Sequence, residues 1–203
     1  MDLNLTSNTF TENKSINGGA LYLRSYNDLN TDSSNNIQFN YNLFEDNFAE
    51  NFGGAIYSEY SQLYKAKTVN NSIINNKAGV IGGGVYSPFA ISKNLFNINS
   101  YEVLNNTANG LINNYASRPM YIVLNTKLDE TVNEIRSGDY FPLTFTLFDE
   151  FDQIYVDIIK YYSLFNINLD LTPKYDLEDD YDYEFKKFTK IMGNKCYFNN
   201  GKI

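Results

Sequence analysis

The chain has 203 residues, of which 43% are hydrophobic and 16% aromatic, so it is long enough to bury a sizeable core. Its formal net charge of -8 disfavours nucleic acid and anionic membranes as partners, because neutralising phosphates requires clustered Lys and Arg. Histidine is absent, which excludes Ser-His and Cys-His catalysis and His-bearing zinc sites within this chain, and the single cysteine, Cys196, is interpreted as a core residue.

A two-part motif occurs three times in the first half of the chain. Its first part is N-x-Φ-x-x-N, where Φ is hydrophobic, and its second part is G-G-A/G-Φ-Y. The second asparagines of the copies are Asn13, Asn47 and Asn76, and the paired glycines are Gly18, Gly19, Gly53, Gly54, Gly82 and Gly83. A fourth, degraded copy around Val103 and Asn106 has lost the double glycine. The spacing of the copies predicts stacked solenoid turns with an atypical terminal repeat.

Each copy also contains short alternating runs of β-branched and aromatic residues, which predict strands. The asparagines are expected to form amide ladders along the stack, since Asn tolerates left-handed backbone and bonds to nearby backbone. The glycine pair is expected at a sharp bend or a close backbone approach, followed by an aliphatic residue that points inward. The motif tyrosines Tyr22, Tyr57 and Tyr86 are interpreted as stacked along the repeat rather than as ligand-binding.

The character of the sequence changes at Pro119, which divides it into a repeat domain over 1–118 and a second domain over 119–203. After the repeat ends, residues 141–148 alternate as a half-buried strand, and the segment 149–153 predicts a hairpin turn into a strand over 154–158. Further strands are expected at 164–171, 183–191 and 195–198. This pattern predicts a small immunoglobulin-like β-sandwich, and the abrupt end of the sequence is compatible with a truncated last strand.

The motif copies resemble the repeats of chlamydial polymorphic outer membrane proteins and related surface proteins over roughly residues 1–115. That resemblance implies a right-handed parallel β-helix. Together with the segment SGDYFPLTFTLFDEFDQIYVDIIKYYS, the chain also looks like the long scaffoldins of anaerobic gut fungi. Members of that group are non-catalytic scaffolds whose cohesin-like modules capture dockerin domains of secreted carbohydrate-degrading enzymes. No dockerin-contacting residue is carried over from a known motif.

Two aromatic and acidic patches in the second domain are candidate partner-binding surfaces. The candidate residues are Tyr155, Asp157, Tyr161 and Tyr162 in the first patch, and Asp179, Asp180, Tyr181 and Tyr183 in the second. In a strand, Tyr155 and Asp157 share one face, which is expected to be exposed and opposite the apolar Ile154 and Val156. Core or rim packing stays open for the tyrosines at 161 and 162. A solvated loop is the favoured interpretation of the acidic run over 175–184, with the partner surface as the next alternative and a calcium site as the weakest, because the run lacks the glycine-bearing spacing of an EF-hand loop.

Catalysis and cofactors are not expected. A β-helical carbohydrate-active enzyme is the least favoured alternative, because its acid pair would have to come from residues that lie mostly in turns. Those acids of the repeat half are Asp28, Asp32, Glu45, Asp46, Glu50 and Glu59, with Arg24 and Arg118 as the arginines available there. No metal site is predicted.

The sequence therefore predicts an all-β, non-catalytic scaffold module excised from a larger secreted protein and located outside the cell or at its surface. The expected partner is a dockerin domain, alongside other copies of the module in a longer parent chain. Nucleic acid is not expected as a partner, and no apolar run is long enough to span a membrane. A cell-surface adhesin that binds host or polysaccharide ligands is the main alternative.

Overall fold

The computed structural model describes residues 2–24, 36–60, 63–89, 102–110, 114–127, 142–156, 166–168, 195–197 and 202. These residues are almost entirely β, apart from a short 3-10 helix at Leu63–Lys65. No helix in this part of the chain is long and apolar enough to cross a membrane.

The first half of the chain forms four successive rungs of short strands. Rung 1 consists of β1 Asp2–Thr6, β2 Thr9–Thr11, β3 Lys14–Asn17 and β4 Leu21–Leu23. Rung 2 consists of β5 Asn36–Asn40, β6 Leu43–Glu45, β7 Phe48–Phe52 and β8 Ile56–Ser58. Rung 3 consists of β9 Lys67–Val69, β10 Ser72–Ile74, β11 Lys77–Ala78 and β12 Val85–Ser87. Rung 4 consists of β13 Val103–Leu104, β14 Thr107–Ala108 and β15 Tyr115–Ser117.

Equivalent strands of successive rungs pair in parallel, giving four sheets with the orders β1-β5-β9, β2-β6-β10-β13, β3-β7-β11-β14 and β4-β8-β12-β15. The pairing register follows the sequence repeat, so that Phe10, Phe44, Ile73 and Val103 occupy one position in four rungs. The rings of Phe10 and Phe44 stack with centroids 4.8 Å apart. The predicted repeat stacking, including the degraded fourth copy, is therefore present as a parallel β-repeat with its apolar residues in line.

Left-handed backbone marks the corners between strands. The residue before each asparagine of the N-x-Φ-x-x-N copies described here has a positive φ, namely Ser7, Glu12, Tyr41, Asp46, Asn70, Asn75 and Asn105. The left-handed conformation therefore lies one residue before these asparagines, and asparagine itself adopts it at positions 70, 75 and 105. In each glycine pair the first residue has a positive φ, as at Gly53 (64°). The second is packed so closely that a Cβ on Gly54 would overlap the carbonyl oxygen of Gly83 in the next rung.

The chain changes to antiparallel pairing after rung 4. Strand β16 (Pro119–Leu124) pairs antiparallel with β17 (Phe145–Asp149), and β18 (Asn166–Asn168) pairs antiparallel with β19 (Lys195–Tyr197). The predicted turn is confirmed, because the amide of Asp149 donates to the Gln153 carbonyl, but over 154–156 the strand predicted to follow it is reduced to an isolated bridge between Ile154 and Phe148. An immunoglobulin-like sandwich is not established by these strands, and the division at 118/119 stays a prediction. The expected strand over 183–191 lies outside the described residues.

Strand β17 is more enclosed than its alternation predicts. Leu147 and Asp149 on the expected core face are buried, but Thr146 on the opposite face is buried as well. The strand is therefore covered on both faces rather than half-buried.

Candidate binding surfaces

Two asparagine ladders run along the stacking direction of the parallel β-repeat, the first through rungs 1 to 3 and the second through all four rungs. The first joins Asn8, Asn42 and Asn71, and the second joins Asn13, Asn47, Asn76, Asn106 and Asn114. At each step, one side-chain oxygen accepts from both the backbone N–H and the side-chain amide of the asparagine one rung earlier, at 2.9 to 3.1 Å for Asn47. The predicted amide ladders are confirmed, and the repeat asparagines serve the architecture rather than a ligand.

Asn114 ends the second ladder and was not anticipated. It lies only eight residues after Asn106, yet its Oδ1 accepts from the backbone N–H and Nδ2 of Asn106 at 3.2 and 3.1 Å. The backbone carbonyl of Asn114 accepts from the amides of Gly84 and Val85 in rung 3. The Gly84 carbonyl accepts in the same way from the amides of Ala55 and Ile56 in rung 2. The signal was in the sequence, because an asparagine stands where the other copies have Ala or Gly before the Φ-Y pair.

The motif tyrosines form the predicted stack on the outer face of the fourth sheet. The Tyr22 and Tyr57 ring centroids lie 5.2 Å apart, and those of Tyr57 and Tyr86 lie 5.7 Å apart. Exposure falls along the stack from 46% at Tyr22 to 8% at Tyr57 and 1% at Tyr86. One end of the stack is therefore open to solvent and the other end is covered.

Charged residues surround the exposed end of the tyrosine stack. The Tyr57 hydroxyl donates to Glu59 at 3.0 Å, and Arg24 Nε lies 3.4 Å from the other oxygen of the same carboxylate. Desolvation, reinforced by the neighbouring Glu59, raises the pKa of Tyr22 above its usual value. This corner offers an aromatic ring and an ion pair to a partner, but its contacts are already satisfied internally.

The covered end of the stack lies beneath the segment that carries the hairpin turn. Leu147 and Tyr155 pack in one cluster with Tyr57, Tyr86 and Ile81 of the parallel β-repeat. Tyr155 is 1% exposed, whereas Ile154 is 40% exposed. The prediction that Tyr155 lies on an exposed binding face is therefore wrong, because the outward tyrosines of the repeat provide an apolar surface that Tyr155 covers.

Asp149 holds this turn against the edge of rung 4. Its carboxylate accepts from the amides of Phe151 and Gln153 at 2.9 and 3.0 Å, from Gln153 Nε2 at 3.0 Å, and from the Ser117 amide at 3.4 Å. Burial raises the pKa of Asp149 above its usual value, although these hydrogen bonds act in the opposite direction. Phe151 in the same turn packs edge-on against Tyr115 with ring centroids 4.8 Å apart. The turn therefore closes the end of the parallel β-repeat at β15.

Strand β16 is the most exposed apolar element in the described part of the chain. Its exposed hydrophobic residues are Met120 (52%), Tyr121 (38%), Ile122 (45%), Val123 (39%) and Leu124 (36%). Its pairing within that part is with β17 alone, which leaves the other strand edge open there. The Tyr121 hydroxyl donates to Asp152 at 2.7 Å and the ring stacks on Phe148 at 5.3 Å. The hydrogen bond to Asp152 raises the pKa of Tyr121.

The other predicted partner-binding residues cannot be placed. Asp157, Tyr161, Tyr162, Asp179, Asp180, Tyr181 and Tyr183 lie outside the described residues. Among the residues that are described, no group of acidic or cysteine side chains could hold a metal ion. The aromatic and acidic chemistry expected for a partner surface is nevertheless present at Tyr121 of β16 and Asp152 of the hairpin turn, which were not predicted as binding residues.

Residues 43–59 match the repeat of the Chlamydia polymorphic membrane protein family. The matched segment runs from β6 to just beyond β8 and contains Asn47, Gly53 and Gly54. The predicted resemblance to chlamydial repeats is confirmed for this segment. The resemblance to fungal scaffoldins stays a prediction.

A transmembrane domain-containing protein of Dictyostelium discoideum is 31% identical to this chain over 157 residues. The aligned region covers 73% of the chain but only 9% of that relative's length. No solved structure matches the chain. The comparisons therefore support a repeat-containing segment that is similar to part of one much longer protein, and they assign no activity to it.

Proposed function

We propose that the chain is a right-handed parallel β-helix with an attached antiparallel region, acting as a non-catalytic extracellular module that binds a protein partner. The proposed partner is the dockerin domain of a secreted carbohydrate-degrading enzyme. The observation that carries the proposal is the exposed apolar strand β16, whose five large hydrophobic residues are each at least 36% exposed. Contiguous exposed apolar surface of this kind marks interaction sites in soluble proteins.

The surroundings of β16 suit a protein partner. An open strand edge offers backbone donors and acceptors that an added strand can pair with, while alternate side chains give specificity. Tyr121 is held in place by its hydrogen bond to Asp152 and its stacking on Phe148, so little side-chain entropy is lost when it is covered. The net charge of -8 favours a partner whose contact surface is basic at its rim.

Calorimetric titration of the chain with a panel of dockerin domains tests this proposal. Saturable one-to-one binding is expected, and Ile122→Ser should weaken it by about tenfold or more because a centrally placed apolar contact is lost. Val69→Ser is the matched control, since Val69 is a β-branched strand residue of similar exposure, 42% against 45% for Ile122. Equal weakening by both substitutions, or the absence of any dockerin binding, would reject β16 as the site for this partner.

A cell-surface adhesin is the second candidate, and the relative's name favours it. That Dictyostelium protein is named for a transmembrane domain, which suggests a membrane-anchored parent for modules of this type. Binding to glycan arrays or host-cell surfaces that survives Ile122→Ser, without dockerin binding, would favour this reading. Release of reducing ends from a polysaccharide would instead indicate an enzyme.

A further inference from the structure

The two ends of the parallel β-repeat differ in how their hydrogen bonds are completed. At rung 4, the Asn114 side chain takes the place of the next ladder asparagine and its carbonyl accepts the amides of Gly84 and Val85. The turn around Asp149 then covers β15, where Gln153 Nε2 donates to the Tyr115 carbonyl at 3.1 Å. Within the described residues the strands at both ends are outermost in their sheets, β1 to β4 at rung 1 and β13 to β15 at rung 4, but no described turn covers a strand of rung 1 in this way.

The ladder asparagines of rung 1 lack bonds that their equivalents make. Each of Asn42 and Asn47 accepts two bonds from the rung before it, but Asn8 Oδ1 and Asn13 Oδ1 accept none within the described part of the chain. Asn47 Nδ2 also donates to the Phe10 carbonyl in the preceding rung. The equivalent Asn13 Nδ2 donates to Asn47 Oδ1 in the following rung and to no carbonyl within the described residues. Asn8 Nδ2 donates to the carbonyl of Thr6 in its own rung, whereas the equivalent Asn42 Nδ2 donates to the carbonyl of Leu5 in the preceding rung.

Rung 1 also exposes apolar positions that are buried one rung further on. Ile37, Phe39, Phe44 and Ile56 of rung 2 are at most 3% exposed. Their partners in rung 1, which are Leu3, Leu5, Phe10 and Leu21, are only partly buried. The apolar interior and both ladders therefore end, uncompleted, on the same face.

We infer that this face receives one further parallel rung of the same repeat, carried by the same polypeptide ahead of Asp2 in a longer protein. The incoming rung must bear asparagine at both ladder positions, so that its backbone N–H and Nδ2 groups donate to Asn8 Oδ1 and Asn13 Oδ1. The length of the Dictyostelium relative, of which the chain spans 9%, shows that such modules occur in much longer chains.

The polarity of the ladders argues against a second copy of this chain as the occupant. Two copies joined through their first rungs would bring the unused acceptor oxygens of Asn8 and Asn13 towards the same acceptors of the partner. A copy joined through its fourth rung is disfavoured, because Asn114 already fills the next ladder position and the turn around Asp149 covers β15. A parallel rung supplies donors in the required direction, as Asn42 and Asn47 do towards Asn71 and Asn76.

A tandem variant of the full chain tests the inference. Residues 36–64, which span the 29-residue step from rung 2 to rung 3, are inserted directly ahead of Asp2. This places the added copies of Asn42 and Asn47 one rung before Asn8 and Asn13. The matched control carries Asn42→Ala and Asn47→Ala in the added segment only, so the ladders of the original chain are left intact.

Hydrogen exchange of peptides within 2–24 is the readout, since their sequence remains unique in the tandem variant. We expect the added rung to slow exchange of these amides by about tenfold or more, and the control segment to give at most a small part of that gain. Unchanged exchange within 72–87 and 103–117 shows that the rest of the repeat is folded.

Three results would overturn the inference. The first is no added protection of residues 2–24, and the second is equal protection from the asparagine-bearing and alanine-bearing segments. The third is a dimer of the unmodified chain in sedimentation velocity, with residues 2–24 protected in the dimer, which would assign the face to a second copy.

Discussion

Asn47 illustrates how one side chain completes hydrogen bonds in three rungs. Its Oδ1 accepts from Asn13, its Nδ2 donates to the Phe10 carbonyl, and its backbone N–H and Nδ2 both donate to Asn76. The residue is 1% exposed, so a group that lost its hydrogen-bond partner here could not bond to water instead.

Replacing Asn47 with Ala should therefore lower the free energy of unfolding by about 2 to 4 kcal/mol. Asn13→Ala is the control in the same ladder, and it should cost about 1 kcal/mol or less because Asn13 is exposed and makes fewer bonds. Urea unfolding followed by circular dichroism measures both variants. Equal losses of unfolding free energy for the two variants would show that the buried asparagine contributes no more to stability than the exposed one.

Asp149 should give the protein a pH dependence of opposite sign to that of an ordinary salt-bridged carboxylate. Because burial raises its pKa in the folded state, the folded protein keeps this proton to higher pH than the unfolded chain does. The free energy contributed by Asp149 is therefore fully present below its usual pKa of 3.8 and decreases as the pH rises through the raised value.

Asp149→Asn removes this ionisation but keeps one oxygen to accept the turn amides. The stability advantage of the native protein over this variant should shrink as the pH rises from about 3 towards 7. Urea titrations of both proteins across that pH range measure the difference in their free energies of unfolding. The contributions of the other carboxylates cancel in this difference because both proteins contain them. An advantage that grows with pH would contradict the raised pKa.

At the scale of elements, Tyr155 joins the hairpin region to the outer face of the parallel β-repeat. Tyr155→Ala should cost about 3 kcal/mol or more, because a buried ring is removed from the cluster with Tyr86 and Leu147. Ile154→Ala, at the neighbouring exposed position, should cost less than about 1 kcal/mol. Thermal unfolding compares the two, and a larger loss for Ile154→Ala would indicate that the opposite face is the packed one.

Elements specified by local, repeated signals could be predicted from the sequence. The ladders at Asn13, Asn47 and Asn76, the bend at Gly53 and the tyrosine stack all follow from a motif whose copies must superimpose. The burial of Tyr155 could not be predicted, since alternation assigns two faces to a strand without saying which neighbour covers them. Tyr57 and Tyr86 point outward from the repeat, and their coverage depends on a contact between segments far apart in the sequence.

Strand β16 was missed as a binding candidate for a related reason. An apolar run with β-branched residues is normally assigned to a buried strand, so its residues are not expected to form a binding surface. Aromatic residues next to acids drew attention to 155–162 and 175–184 instead, and the pairing of Tyr121 with Asp152 joins residues 31 positions apart. Proximity of that kind is set by the hairpin and not by local sequence.

At the scale of the whole molecule, stability should vary along the stack of rungs. Rung 1 has neighbours on one side only and partly buried apolar residues, whereas rungs 2 and 3 are flanked on both sides. In repeat proteins, local opening follows such nearest-neighbour contacts.

The amides of β2 should therefore exchange with solvent faster than those of β6 and β10, which occupy the same sheet. Hydrogen exchange with mass spectrometry on the unmodified chain measures this order. Rung 4 serves as the internal comparison, because the Asp149 turn covers β15, which should therefore be better protected than β4 of rung 1. Uniform protection across the four rungs would show that the repeat opens as one unit.

The spacing between ladder partners has a mechanical consequence. Successive asparagines of the first ladder are 34 and then 29 residues apart, and the bonds that join rungs run along the stacking direction. A tensile load applied to the two ends of the stack would open one rung at a time, and each release would add about 100 to 120 Å of extended chain. A long protein built from such rungs could lengthen in steps under load while the remaining rungs stay folded, and so act as an extensible tether.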